Sequence, residues 1–179
     1  MQSKSPFSLS LLLLPLLALL FFTGCSDEGK NKDAHFKKAM TYQQDNKEKE
    51  AIIELRNAIK IDPKYAEARY QLGLLYLKNG EARQAFEELQ RAATLDPKNF
   101  DAKIKTAEFY LLAKKKDDAR KNIEEVLAQD AGNKDALALL ANLELIDGKN
   151  DAALVAIDKA IAASPNEDRL YSIKARVLN

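Results

Sequence analysis

The sequence predicts an all-α solenoid in which four helical hairpins stack side by side and one further helix follows them. The first observation is a shared 34-residue period. It appears in small residues and in prolines at Ala51, Ala85, Ala119, Ala153, Pro63, Pro97 and Pro165. The second observation is that apolar residues inside each period recur at helical spacing. The third is composition, since 46% hydrophobic and 31% charged residues with six Gly and five Pro are typical of amphipathic helices with few breakers.

The segment 1–24 has the layout of a secretory signal. Lys4 gives a positive start, and residues 9–22 are apolar apart from Ser10 and Pro15. A helix over 9–22 reaches only ~21 Å at ~1.5 Å per residue, which is short of the roughly 30 Å hydrocarbon layer of a bilayer. We therefore predict a signal peptide over 1–24, and a permanent transmembrane helix is the weaker alternative.

Cys25, the only cysteine, follows this segment directly in the run Phe22-Thr23-Gly24-Cys25. The run resembles the lipobox of bacterial lipoproteins, whose peptidase cuts before a cysteine that carries a diglyceride. Phe22 departs from the Leu, Val or Ile usual at that position. The resemblance implies that Cys25 is lipidated, and Ser26 after it is similar to the outer-membrane sorting class. An ordinary cleaved signal with an incidental cysteine is the alternative.

The lipobox resemblance also implies a location. The protein is expected to be a palmitate-bearing lipoprotein of the bacterial cell envelope, held on the outer membrane and facing the periplasm. Residues 25–33 are polar after the cysteine and are predicted to form a tether. With a single cysteine, no disulfide can form within the chain.

The four hairpins are predicted at about 34–63, 64–97, 98–131 and 132–165. In the second, residues 66–78 form the first helix, Asn79-Gly80 ends it, and 81–95 form the second helix. Asp96-Pro97 then opens the next hairpin, because Asp caps free backbone amides and Pro suits the first helical turn. The third hairpin has Ala131 where the others have proline.

Small residues are predicted to let the two helices of each hairpin approach closely. Ala39, Gly73, Ala107 and Ala141 share one repeat position on the first helix. An alanine lies opposite on the second helix, as Ala85 does in the second hairpin. A large side chain at Gly73 would overpack this crossing.

Residues 166–179 are predicted to form either a capping helix or the first helix of a truncated fifth repeat. The apolar stripe of this segment consists of Leu170, Tyr171, Ile173, Val177 and Leu178. A terminal cap should have a polar outer face, and this stripe is broad, so the truncated repeat is favoured.

The repeated pattern resembles the tetratricopeptide repeat (TPR). The family pattern is, in order, a small residue, Tyr, Ala, an aliphatic residue, Ala and Pro. The second unit matches it most fully, with Gly73, Tyr76, Ala85, Leu89, Ala92 and Pro97. The resemblance covers about 32–165. This chain departs from the family at its favoured Trp position, which holds His35, Arg69, Lys103 and Leu137, and Glu144 breaks the tyrosine series.

The family resemblance implies a concave groove lined by the first helix of each hairpin. Carried over position by position, it implies an apolar groove with an acidic edge that holds a protein or peptide segment. The candidate groove residues are Phe36, Met40, Tyr70, Leu74, Leu77, Ile104, Leu111, Leu112, Leu145 and Ile146. Phe36 and Met40 stand where the chaperone-type carboxylate clamp needs Lys and Asn, so no such clamp is expected. The alternative is that neighbouring repeats or a further domain cover these residues.

Composition and motifs argue against other classes of function. Because Lys4 is the only charged residue before Cys25, the rest of the chain carries 27 basic and 27 acidic residues, which disfavours nucleic acid as a partner. His35 is the only histidine, and no phosphate loop, metal-ligand spacing or acid–base set is present. Scattered carboxylates are expected on the outer faces of the helices, where they can pair with nearby Lys or Arg; examples are Glu87, Glu88, Glu124 and Glu125. We expect no enzyme activity, no cofactor and no metal.

The sequence therefore favours a membrane-anchored scaffold or adaptor that binds partner proteins in an envelope assembly. The opening repeats resemble those of the TPR lipoproteins that accompany exosortase (PEP-CTERM) and exopolysaccharide export systems. A pilus-assembly lipoprotein and the N-terminal structural arm of a longer protein are the alternatives.

Overall fold

The computed structural model describes residues 26–179, with side chains from residue 31 onward, and this part of the chain contains nine helices and no strand. The helices are α1 (Ser26–Gln44), α2 (Glu48–Ile61), α3 (Ala66–Lys78), α4 (Ala82–Leu95), α5 (Phe100–Leu112), α6 (Lys116–Leu127), α7 (Lys134–Ile146), α8 (Asn150–Ala163) and α9 (Asp168–Leu178). The helices pair in chain order, α1 with α2 through α7 with α8, so the predicted solenoid of four hairpins and a final helix is confirmed. The predicted signal peptide and Cys25 lie outside the described residues.

The helix boundaries repeat the 34-residue period of the sequence. Helices α3, α5, α7 and α9 begin at Ala66, Phe100, Lys134 and Asp168, so each begins one full period after the one before. The turn inside each hairpin repeats as well. Its left-handed residue is Asn46, Gly80, Lys114 or Gly148, with φ between 57° and 77°. In the second hairpin the amide of Glu81 donates to the carbonyl of Tyr76 at 2.8 Å, which satisfies an otherwise free carbonyl at the helix end.

Helix α1 begins at Ser26, so the segment 26–33, for which the sequence predicts a tether, is helical. Two of its side chains bond to residues on either side of the boundary between the first and second hairpins. Lys32 Nζ lies 2.6 Å from Asp62 Oδ2, and the Tyr65 hydroxyl donates to Asp33 at 3.1 Å. Polarity of a segment indicates exposure to water and does not by itself prevent helix formation, which explains the difference.

Each hairpin is held by a small residue packed against a large one. Gly73 is buried, and a Cβ built on it would lie 2.7 Å from Leu89 Cγ and 3.3 Å from the Leu89 amide nitrogen. Leu55, Ile123 and Ile157, at the repeat position of Leu89, are fully buried too. The close approach at Gly73 is thus present, but the atoms nearest to Gly73 belong to Leu89 and not to Ala85, which the sequence placed opposite it.

Three hairpins also contain a polar pair at the position where the family favours Trp. His35 Nδ1 lies 2.5 Å from Glu54 Oε2, and Arg69 Nη1 lies 2.5 Å from Glu88 Oε2. Lys103 pairs with Glu125. Glu88 and Glu125 therefore pair with a basic residue, as expected, but each basic partner is buried, and only Glu125 keeps a largely exposed side chain.

Successive hairpins meet where the even helix of one packs on the odd helix of the next. Between the second and third hairpins, the Phe86 ring of α4 lies against Tyr110 of α5. The same positions between the third and fourth hairpins hold Arg120 and Glu144, and Arg120 donates to Glu144 at 2.6 Å. Glu144 thus stands where the second–third junction has Tyr110, and Arg120, which pairs with it, stands where that junction has Phe86.

The final helix α9 divides its apolar stripe between the core and the surface. Leu170, Ile173 and Val177 are buried, whereas Tyr171 and Leu178 are exposed. None of the helices in residues 26–179 combines the length and the apolar character needed to cross a bilayer.

Candidate functional site: the inner groove

The odd-numbered helices line the inner side of the solenoid. α5 packs directly on α7, and α7 packs on α9, in addition to the contacts that each makes with even-numbered helices. Direct contact from α5 to α7 and from α7 to α9 brings these odd helices closer together than the even helices of the same hairpins, so this part of the stack curves toward the odd side. This inner side is where the family resemblance places the groove.

Nine of the ten predicted groove residues are partly or strongly exposed. Leu112 and Ile146 are the most accessible, with 81% and 55% of their surface exposed. The partly exposed remainder comprises Phe36, Met40, Tyr70, Leu74, Leu77, Leu111 and Leu145. A set of partly exposed apolar side chains at equivalent repeat positions can desolvate further when an apolar segment docks on them.

Ile104 is the residue that departs from this arrangement. It is only 5% exposed and belongs to a buried cluster that includes Leu139 and Leu143 of α7. The direct contact between α5 and α7 covers it, so Ile104 contributes to the core and offers almost no surface to a partner. The sequence raised the alternative that a neighbouring repeat covers groove residues. For Ile104, this alternative is correct.

Several groove residues are anchored on their buried side. Phe36 and Met40 pack against the core of the first hairpin, whose members include Leu55 and Leu72. Tyr70 packs against the buried cluster that contains Ala92 and Ala102. Because one side of each residue is fixed by the core, the exposed side is preorganised and a docking segment loses little additional side-chain entropy.

Two carboxylates of the acidic edge are engaged in bonds between successive hairpins, one with a neutral hydroxyl and one in an ion pair. The Tyr65 hydroxyl donates to Asp33, and Arg169 bonds Asp135. Burial raises the pKa of Tyr65 to about 12, and the hydrogen bond to Asp33 adds to the rise. Burial also raises the pKa of Tyr70, with a further contribution from the charge of Asp101. These tyrosines stay neutral hydrogen-bond donors at physiological pH.

No metal-binding cluster accompanies the groove in the part of the chain that the structure describes. Among residues 26–179, no three His, Cys, Asp or Glu side chains lie close enough together to hold a metal ion. His35 is engaged with Glu54 inside the first hairpin. What the arrangement can do chemically is to bind an apolar segment with polar edges.

The polar pairs at the Trp position are the feature that sequence reasoning missed. A signal existed, because His35 and Glu54 are separated by the same sequence interval as Arg69 and Glu88. At the equivalent repeat positions the fourth hairpin has Leu137 and Ala156, so both members of the polar pair are apolar there.

The fold and the open inner face define a helical-repeat protein of the interaction-scaffold class. Models of the tetratricopeptide repeat match residues 76–121 and 110–168, and a model described as TPR repeat matches residues 41–80. Together these matches run without a gap from 41 to 168. The chain belongs to the tetratricopeptide repeat proteins.

Solved structures share the fold at low sequence identity. A crystal structure of MamA protein is 21% identical with a TM-score of 0.72, over 83% of this chain and 81% of that one. PilF of Pseudomonas aeruginosa is 21% identical with a TM-score of 0.70, over 85% of this chain and 69% of that one. YrrB, titled a TPR protein with an unusual peptide-binding site, is 22% identical with a TM-score of 0.69, over 82% and 76%. A search of curated proteins found no match.

Proposed function

We propose that this protein is a membrane-tethered scaffold that holds a partner protein in the inner groove. The observation that carries the proposal is the row of partly exposed apolar side chains along the odd helices, which ends in the strongly exposed Leu112 and Ile146. Exposed apolar residues scattered singly need no explanation, but a row at equivalent repeat positions on a concave face is typical of a docking surface.

The chemistry of the groove favours an extended or helical partner segment with apolar anchors. Tyr70, Leu74 and Leu77 lie on one helix, and Leu111 and Leu112 lie on the next odd helix. Glu67 and Asp101 at the edge favour a segment that also carries basic residues. YrrB, which is similar in fold, has a peptide-binding site according to its title, and this supports a peptide-binding role for the fold.

The tether is proposed to be a lipid on Cys25. The support is the lipobox-like run before Cys25 and the apolar segment 9–22. Several acyl chains on one residue would anchor the protein firmly, since each buried methylene contributes ~0.8 kcal/mol. Helix α1 begins at Ser26, so the repeats would lie close to the membrane surface. Ser26 supports an outer-membrane location facing the periplasm.

Two envelope assemblies are candidates for the pathway. The opening repeats resemble those of exosortase- and exopolysaccharide-linked TPR lipoproteins, which supports the first. The similarity of fold to PilF is the comparison that supports a pilus-assembly lipoprotein, the second. Gene neighbours separate the two, because exosortase and polysaccharide genes favour the first and pilus genes favour the second.

Substitution of Tyr70 and Leu74 by Glu is expected to abolish partner capture, because two charges would be desolvated under an apolar segment. The measurement is a pull-down from envelope membranes, compared with the wild type by mass spectrometry. Ile53→Glu is the matched control, since Ile53 is an exposed apolar residue on the even helix α2. Equal recovery of the same partners by the wild type and the double variant would contradict the groove proposal.

Replacement of Cys25 by Ser is expected to release the protein from membranes, because serine lacks the thiol that forms the thioether to the diglyceride. The measurement is the share of protein in the membrane pellet after ultracentrifugation, with labelled palmitate incorporation as a second readout. Ser26→Ala serves as the control and should stay in the pellet. Full retention of Cys25→Ser in membranes would show that an uncleaved segment, and not a lipid, is the anchor.

A further inference from the structure

A second apolar surface lies at the edge of the solenoid where α5 turns into α6. It is a cavity of about 290 Å³ lined by Ala82, Arg83, Phe86, Phe109, Tyr110, Ala113 and Lys115. None of these residues belongs to the ten groove positions. The volume is at the lower end of the roughly 300–1,000 Å³ of small-molecule sites, so it suits one large side chain.

Three aromatic rings form the walls of this cavity. The Phe86 ring stands edge-on to Phe109, with centroids 5.5 Å apart, and edge-on to Tyr110, with centroids 5.4 Å apart. Gln90 Nε2 donates to the Tyr110 hydroxyl at 2.6 Å, which fixes that ring. The walls are therefore preorganised. A further aromatic ring can pack edge-to-face against them, as these rings pack against one another.

Comparison with the next junction explains why the cavity is open. There, Arg120 occupies the repeat position of Phe86 and donates to Asp147 at 3.1 Å as well as to Glu144. Asp147 occupies the repeat position of Ala113. Between the third and fourth hairpins, the Arg120–Asp147 ion pair occupies the equivalent space. Between the second and third hairpins, Ala113 has only a methyl group there, so the space stays open.

The rim of the cavity carries positive charge. Lys115 precedes α6 and forms no ion pair with any described residue, and the Arg83 side chain is 89% exposed. Arg83 Nε donates to Glu87 Oε1 at 3.2 Å in an ion pair on the exposed helix face, so Lys115 is the rim cation that has no ion pair among the described residues. Cations around an apolar opening complement an apolar side chain that has an acidic neighbour.

We propose that this cavity binds one aromatic side chain of a partner segment that carries an acidic residue beside it. The inference rests on the proposed scaffold function and adds a second anchoring point to the inner groove. The groove favours basic residues in the partner segment, whereas the cavity favours an acidic one. Burial of one such side chain corresponds to about a tenfold or larger gain in affinity, from ~1.5–3 kcal/mol of transfer free energy.

The test uses the purified full chain and fluorescein-labelled tripeptides, with fluorescence anisotropy as the measurement. Glu-Phe-Glu is expected to bind at least about tenfold more tightly than Glu-Ala-Glu, and more tightly than Lys-Phe-Lys. Ala113→Leu fills the cavity and should lower the affinity for Glu-Phe-Glu at least about tenfold. Lys115→Glu should weaken binding about threefold, the size expected of an exposed ion pair.

The matched control is Asn79→Leu, which places the same side chain at the same repeat position one hairpin earlier and should leave binding unchanged. Equal affinities for Glu-Phe-Glu and Glu-Ala-Glu, no binding at all, or binding that Ala113→Leu leaves intact would overturn the proposal. Partner capture by the Tyr70→Glu, Leu74→Glu variant is measured separately. The two proposals therefore fail independently.

Discussion

Gly73→Leu is expected to lower the free energy of unfolding by about 3 kcal/mol, the upper part of the range for overpacked cores. The reason is the close contact in the second hairpin, where even a Cβ on Gly73 would lie 2.7 Å from Leu89 Cγ. The backbone amide of Leu89 is also near, so the strain cannot be removed by a rotamer change alone. Urea titration followed by circular dichroism measures the loss.

The controls for Gly73→Leu separate side-chain volume from helix propensity. Gly73→Ala should cost less than Gly73→Leu, because it adds only the Cβ and the helix propensity of Ala offsets part of that contact. Leu89→Ala alone should cost about 2–5 kcal/mol. The double variant Gly73→Leu, Leu89→Ala should recover part of both losses, since it restores volume. If Gly73→Leu were as stable as the wild type, α3 and α4 could move apart at little cost, and the Gly73–Leu89 contact would not set their separation.

Glu144→Tyr and Arg120→Phe are each expected to lower the free energy of unfolding by about 2 kcal/mol, and the double variant should recover most of this loss. Glu144→Tyr leaves the partly exposed Arg120 with Asp147 alone, and Arg120→Phe leaves the buried Glu144 without its nearest cation. Loss of one partner costs ~3–5 kcal/mol for a fully buried pair. Because 28% of the Arg120 side chain is exposed, we expect a smaller cost. The double variant recreates the aromatic junction that Phe86 and Tyr110 form one hairpin earlier. Urea titration of the four proteins measures the recovery.

The same junction predicts a pH dependence. The hydrogen bond from Arg120 lowers the pKa of Glu144, and that from Lys116 lowers the pKa of Asp147. A lowered folded-state pKa gives stability that is present above the unfolded pKa of ~4.3 and is lost as pH falls through the folded pKa. Between pH 6 and pH 3 the double variant should therefore lose less stability than the wild type. Equal acid sensitivity would contradict a stabilising role of the pair.

The exposure of most candidate groove residues was predictable, because repeat position fixes which face of a helix a residue occupies. Leu112 and Ile146, one period apart, are both strongly exposed. Ile104 was not predictable in this way. It shares its repeat position with the accessible Phe36 and Tyr70, and only the direct packing of α7 on α5 removes it from the surface.

The helices, their pairing into hairpins and the small residue at each crossing follow from the amino-acid pattern, because these features depend on neighbours within one 34-residue period. How the hairpins meet one another emerged only from the three-dimensional packing. There Arg120 compensates for the loss of tyrosine at Glu144, Ala113 leaves a cavity, and Ile104 is covered. Such contacts join residues of different repeats and depend on the spacing and curvature of the stack, which side-chain periodicity does not specify.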